Sequence, residues 1–214
     1  MNLRAVTKHL LTGHARFRSE YFSEEAEFLR ILAREGQNPS ALYIGCSDSR
    51  VVPELLTTSR PGELFVVRNI ANVVPLFEHS DASVGAAIEY AVAVLEVDHV
   101  IVCGHDLCGG VKAALDGVDK LTAHPSLHEW VRLIEPAAKT AREIEKDPKQ
   151  LLRTAVEENV LDSMENLISY PAVAKALAAH KIALHGWVYD IDAGALRVYD
   201  VATEEFSLAG DLAR

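Results

Sequence analysis

Three short apolar runs constrain this chain more than anything else in it: Ala41-Leu-Tyr-Ile-Gly45, Glu63-Leu-Phe-Val-Val-Arg68 and His99-Val-Ile-Val-Cys103. Each is too short for a buried helix and too evenly apolar for a strand with one wet face. That leaves strands covered on both sides. Long helical stretches separate them, so the expected fold is α/β, a central and mostly parallel β-sheet flanked by helices. Ligands of such sheets gather beyond the carboxyl ends of the strands. The first run leads straight into Cys46 and the third into Gly104-His105, which brings chemically capable residues to one edge.

The remaining segments fit that frame as a single domain over 1–214, with a helical arm at 1–36 and an α/β core at 37–214. In the arm, Phe17, Tyr21, Phe22, Phe28, Leu29 and Leu32 recur at roughly helical spacing among charges, predicting a pair of helices that lies on the core or embraces a partner subunit. A Pro61-Gly62 turn introduces the second strand. A helix is expected from about Ser80 to Leu95, capped by Ser80 or Asp81, and another opens at Cys108-Gly-Gly-Val-Lys. Ser126 to about His180 reads as helical, with breaks at Pro136, Pro148 and Pro171. Lys181–Tyr189 and Leu196–Tyr199 read as a final strand pair turning at Asp192-Ala-Gly194.

Composition excludes several function classes. A net charge of -10 argues against nucleic acid, whose binding draws mainly on Lys and Arg contacts to phosphate. No apolar run approaches the roughly 20 residues needed to cross a bilayer, and the most apolar helix, Ala86–Leu95, is interrupted by Glu89. The first residues lack the apolar core of a signal peptide. Three cysteines are too few, and odd in number, for a disulfide framework, so metal-binding thiols in a cytoplasmic protein account for them better.

Cys46, His105 and Cys108 form the expected metal set. Zinc takes thiolate and imidazole readily, and a catalytic site keeps three protein ligands plus an exchangeable position. The competing assignment, Cys46 as a core thiol and His105 as a satisfied turn residue, leaves the two motifs at matching strand ends a coincidence. Cys103 differs: it lies inside an apolar strand and reads as a core thiol. Asp48 has two possible roles. It can accept a hydrogen bond from zinc-bound hydroxide and aim that oxygen at an electrophile, or it can bind zinc as a fourth ligand and close the site. Arg50 can hold Asp48 off the metal through a bidentate pair. A structural zinc needs neither residue, so the surplus points to an enzyme.

The chain resembles the beta class of carbonic anhydrases, in the plant-type branch with bacterial-like features. The resemblance rests on Cys46-Ser-Asp-Ser-Arg50, Pro61-Gly-Glu-Leu-Phe-Val-Val-Arg-Asn-Ile-Ala-Asn72, Glu89-Tyr90-Ala-Val, Gly104-His-x-x-Cys-Gly-Gly110 and Leu184-His-Gly-Trp-Val-Tyr-Asp190. It covers about Gln37 to Tyr199. It implies reversible hydration of carbon dioxide to bicarbonate and a proton, one zinc per chain, and a homodimer or homotetramer. It implies Cys46, His105 and Cys108 as ligands, Asp48 and Arg50 as the catalytic dyad, and Gln37 as a substrate contact. Phe65, Ile70 and Tyr90 would line an apolar pocket, with Tyr90 donated by the partner subunit, and Gly109 would face substrate through its backbone. Arg68 and Tyr189 match two positions of a regulatory bicarbonate site found in some bacterial members, whose third position, a Trp there, is Tyr43 here; Val67 stands where those enzymes often carry His. These departures, with Gln37, imply a constitutively open enzyme. Two other functions fit the same residues: hydrolysis of carbon disulfide or carbonyl sulfide, and noncatalytic zinc binding in a bicarbonate sensor.

Overall fold

The structure, a computed structural model, describes residues 3–212, with side chains described from 7 to 210. It divides into two compact units, Met1–Asn38 and Pro39–Arg214. In the first, α1 (Leu3–Ser19), α2 (Tyr21–Glu24) and α3 (Ala26–Glu35) follow one another, three helices where the spacing predicts two. Phe17 packs against Tyr21 and Phe22, with ring centroids 5.7 and 6.3 Å away. Met1 and Asn2 lie outside the described residues.

The second unit is built on a six-stranded sheet in the order β2-β1-β3-β4-β5-β6. Its strands are β1 (Ala41–Cys46), β2 (Leu64–Asn69), β3 (His99–His105), β4 (Ala183–Asp190), β5 (Ala195–Asp200) and β6 (Glu205–Leu208). The first four run parallel; β5 and β6 add antiparallel strands at one edge. All six residues of β1 are buried, as its uniform apolarity requires. The β4–β5 hairpin turns where expected, through Gly194 at φ 65, a conformation that costs glycine little. β6 went unforeseen because Glu205-Phe-Ser-Leu208 is only four residues long and half polar.

Successive side chains of a strand point to opposite faces. Leu42 and Ile44 of β1, with Val100 and Val102 of β3, therefore share one face and pack under the helices. Tyr43, Ile101 and Cys103 share the other, beside Trp187 and Leu56. Cys103 is thus the core thiol expected, and burial pushes its pKa up to about 12. The helices are α4 (Pro53–Thr57), α5 (Ala82–Glu89), α6 (Gly109–Asp116), α7 (Pro125–Arg132), α8 (Glu135–Ile144), α9 (Leu151–Ile168), α10 (Pro171–Ala178) and α11 (Ala209–Leu212). Prolines sit in the first turn of α4, α7, α8 and α10, where a missing N–H costs nothing. Asp81, not Ser80, caps α5, accepting from the Ser83 and Val84 amides. The expected helix to Leu95 instead widens into a π turn over Tyr90–Val94, closed by the Leu95 amide on the Tyr90 carbonyl at 2.9 Å. A turn that inserts one residue leaves no periodic trace in sequence.

From β1 the chain steps to β2 on one side and then to β3 on the other. The strand order reverses between β1 and β3, and the carboxyl ends of two such strands border the usual ligand crevice of open α/β sheets.

Candidate metal centre

That crevice holds the predicted donors. Cys46 ends β1, His105 ends β3, and Cys108 caps α6 three residues later. Their exposures are 4%, 0% and 1%, and their ligand atoms all lie within 4.8 Å of one another. The His105 Nδ1–H donates to the Asp106 carbonyl at 2.9 Å, leaving Nε2 as a buried nitrogen with no partner among the described residues. Imidazoles that ligate metals through Nε2 are commonly held in this way. The two sulfurs point to the same conclusion. The Cys108 thiol lying against it, and then the nearby His105 ring, lower the Cys46 pKa, whereas the Cys46 thiolate raises that of Cys108. Two adjacent sulfurs that cannot both ionise unaided are the donor pair a dication stabilises. His105 is pulled down by burial but raised on balance by the neighbouring Cys46 thiolate.

Main-chain geometry reinforces the cluster. The Ala71 amide donates to the Cys46 sulfur at 3.4 Å. Ala71 (φ 62), Asn72 (φ 50) and Leu107 (φ 60) all adopt left-handed backbone, a strain that persists only where surrounding contacts enforce it. Those contacts are visible: Trp130 Nε1 donates to the Ile70 carbonyl and Asn159 Nδ2 to the Ala71 carbonyl, at 2.9 and 2.8 Å. Gly110 completes the fit, since a Cβ there would come within 2.8 Å of the Ile70 side chain.

Asp48 is turned onto Arg50. Its Oδ1 accepts from the Arg50 amide and Nε at 3.0 and 2.9 Å, and its Oδ2 from Nη2 at 2.7 Å. Oδ2 is also 3.8 Å from His105 Nε2, so the carboxylate stands beside the donor cluster while held by the guanidinium. These bonds keep the Asp48 carboxyl well below the usual carboxylate range. Any stability from that pairing is present above the unfolded pKa of about 3.9 and lost as pH falls through the lower folded value.

The other expected residues are distributed unevenly. Ile70, adjoining Ala71, is 40% exposed beside the cluster. Gly109 follows Cys108, and a Cβ placed on it would meet nothing within 4 Å, so open space adjoins the donors. Phe65 and Tyr90 pack together with ring centroids 5.8 Å apart. Phe65, however, pairs with Leu42, whereas Asn69 pairs with Cys46; the four-residue offset sets Phe65 about 13 Å back along the strand. Gln37 belongs to the N-terminal unit and is exposed. Arg68 spends Nε and Nη2 on the carbonyls of Cys46, Asp48 and Val51, at 2.9, 2.6 and 2.7 Å, bracing the loop that carries Asp48. Tyr43 is fully buried, with no partner for its hydroxyl among the described residues, and Tyr189 stands opposite His105 in the β3–β4 register. Sequence reasoning missed Trp130, Asn159 and the Ala71 amide. Their partners lie 60, 88 and 25 residues away, and no local pattern marks them.

A buried Cys2His donor set at the switch point of an α/β sheet, with an ionised Asp–Arg pair beside it, defines a metalloenzyme of the lyase or hydrolase kind. The comparisons with known proteins name it more closely. A family model described as carbonic anhydrase matches residues 41–196. The chain is 40% identical to a carbonic anhydrase of Pseudomonas aeruginosa over 93% of its own length and 90% of that protein. It is 38% identical to carbonic anhydrase 1 of Escherichia coli O157:H7, with the same coverage. Among solved structures, the beta-carbonic anhydrase CcaA superimposes with a TM-score of 0.90 at 36% identity, over 94% of this chain and 98% of that one. A tetrameric beta-carbonic anhydrase of Sordaria macrospora gives 0.79 at 32% identity, over 91% and 96%. The chain belongs to the beta-carbonic anhydrase family. It is an enzyme of that family's activity, the reversible hydration of carbon dioxide; neither the sulfur-substrate hydrolase nor the sensor is favoured.

Proposed function

We propose that this hydration takes place at one zinc ion per chain, held by Cys46, His105 and Cys108. The observation that carries the reading is the buried, partnerless Nε2 of His105 facing two sulfurs within 4.8 Å. When bound, zinc supplies Lewis acidity and an activated water, the nucleophile carbon dioxide lacks in neutral solution. Asp48, held ionised by Arg50, accepts a hydrogen bond at Oδ2 from a proton-bearing group and orients that group toward the open space beside Gly109. Arg50 keeps that carboxylate from turning onto the donors. The exposed Ile70 side chain offers carbon dioxide, which has no net dipole, an apolar wall.

The Phe65–Tyr90 pair, set back from its own centre, serves the pocket of a neighbouring copy in a homodimer or homotetramer, and Gln37 is a substrate contact. No helix among the described residues is long and apolar enough to cross a membrane. All three cysteines are free, which suits a reducing compartment, and we place the enzyme in the cytoplasm.

Cys46 and Cys108 together offset the charge of a dication and leave it a weaker Lewis acid than three imidazoles would. Hydration therefore quickens from about pH 6.5 to about pH 9. Asp48 cannot cause that rise, because Arg50 holds it ionised throughout. Stopped-flow hydration across this range, with metal content measured on the same samples, tests the reading. Zinc-loaded protein with an alkaline rise supports it; zinc-free protein that hydrates carbon dioxide equally fast overturns it.

Arg68 Nε and Nη2 are already bonded to three loop carbonyls, so neither is free to join Nη1 in a two-pronged grip on bicarbonate. Bicarbonate is accordingly expected to inhibit hyperbolically, and a sigmoidal inhibition curve would contradict the constitutively open assignment.

A further inference from the structure

We propose that Arg197, acting through Asp106 and backed by Glu157, is a positioning residue of the metal centre: it fixes the peptide that orients His105 and so governs how firmly zinc is retained. The inference rests on the ligand assignment above.

Arg197 lies on β5 at 4% exposure, and a guanidinium so far from water must find anionic partners. It has two. Its Nη1 and Nη2 meet the two carboxylate oxygens of Asp106, each at 3.1 Å, and Nη2 also lies 3.0 Å from Glu157 Oε1 on α9. Arg153 continues the chain of charges toward the surface, 3.4 Å from the same Glu157 oxygen. Fold stability alone gives little reason to bury such a group, since a buried ion pair roughly breaks even against apolar packing of the same volume.

The reason lies in what Asp106 holds. Asp106 sits inside His105-Asp106-Leu107-Cys108, the four-residue span that joins two of the three ligands. Its amide donates to the Tyr189 carbonyl at 2.9 Å, its carbonyl accepts from His105 Nδ1 at 2.9 Å, and Arg197 grips its carboxylate. With all three polar groups engaged, the residue cannot rotate. The His105 ring is therefore locked with Nε2 facing Cys46 and Cys108. The next residue, Leu107, is in strained left-handed backbone and 59% exposed, and its carbonyl accepts only a long bond from Arg50 Nη2 at 3.5 Å, so the firmer restraint on this turn is the one at Asp106. Arg197 supplies the restraint from a strand 91 residues away in sequence.

The test uses the full-length, zinc-loaded enzyme and the variants Asp106→Asn, Arg197→Met and Arg197→Lys. Two readouts are independent of activity: zinc release to a chromogenic chelator, and the visible spectrum of the cobalt-substituted protein. Outer partners of metal-bound histidine typically contribute about 10- to 100-fold in metal affinity. Asp106→Asn and Arg197→Met are expected to release zinc faster by that factor and to shift the cobalt bands, with Arg197→Lys recovering part of the loss. Val173→Ala, which loosens the core at α10, is the control: it lowers Tm but leaves release and spectrum unchanged. If Arg197→Met does not fold, the near-isosteric Asp106→Asn decides. Wild-type release and cobalt bands in Asp106→Asn would overturn the proposal while leaving the ligand assignment intact. Full zinc content in the Cys108→Ser variant would overturn both.

Discussion

Cys108→Ser leaves a folded chain that no longer retains zinc and hydrates carbon dioxide at least about 1000-fold more slowly, a modest share of the 10⁶-fold or larger accelerations enzymes reach. The separation of folding from metal loss follows from where Cys108 sits. It occupies the N-cap of α6, in extended backbone, and makes no capping hydrogen bond of its own. Serine is among the preferred N-cap residues, so the helix start is preserved or improved. What disappears is a thiolate, and with it one of three donors; Cys46 and His105 alone do not make a closed set. Metal analysis, thermal melting and stopped-flow hydration on one preparation check all three parts. Retention of stoichiometric zinc with full activity would remove Cys108 from the ligands.

Arg50→Ala produces the opposite dissociation: zinc stays and activity goes. Three hydrogen bonds now hold Asp48 against Arg50, while its Oδ2 stands 3.8 Å from the ligand nitrogen of His105. Without the guanidinium the carboxylate needs only a small rotation to compete as a fourth ligand and fill the exchangeable position. Displacements of about 1 Å at a reacting centre can cost about 100-fold, and a loss of at least that size in kcat/KM is expected. Arg50→Lys, which offers charge without a planar fork, falls between the two. Zinc analysis at one ion per chain distinguishes this closure from metal loss. A variant that keeps activity within a few-fold would show that Asp48 needs no restraint. Because Arg50 is solvent-exposed, little of the effect should appear in Tm.

The parts of this enzyme that could be read from sequence are those whose physics is local. β-branched and apolar runs announce buried strands, and Cys46 and His105 are recognisable because they stand one and two residues beyond such runs. The Asp48–Arg50 pair was legible for the same reason: two residues of spacing suffice for a bidentate contact. Other parts depend on partners that only the folded chain supplies. Nothing near Arg197 in the sequence says that it is buried, and nothing near Trp130 says that its indole N–H meets the Ile70 carbonyl. Phe65 is the instructive intermediate. Its strand was predicted, but only the register with Leu42 shows that it stands back from Cys46. The π turn at Tyr90–Val94 and the short strand β6 escaped because neither carries a period long enough to detect.

Several contacts that shape the centre come from peptide groups: the Ala71 amide at the Cys46 sulfur, the Asp106 carbonyl under His105, and the three carbonyls gripped by Arg68. A peptide group cannot be deleted by exchanging one side chain for another. Evolution can rewrite most letters around such a centre without touching these contacts, provided the chain keeps its course through space. That is one physical reason why a relative sharing 36% of its residues can retain the shape at a TM-score of 0.90. What is inherited most faithfully here is a path, and the chemistry travels with it.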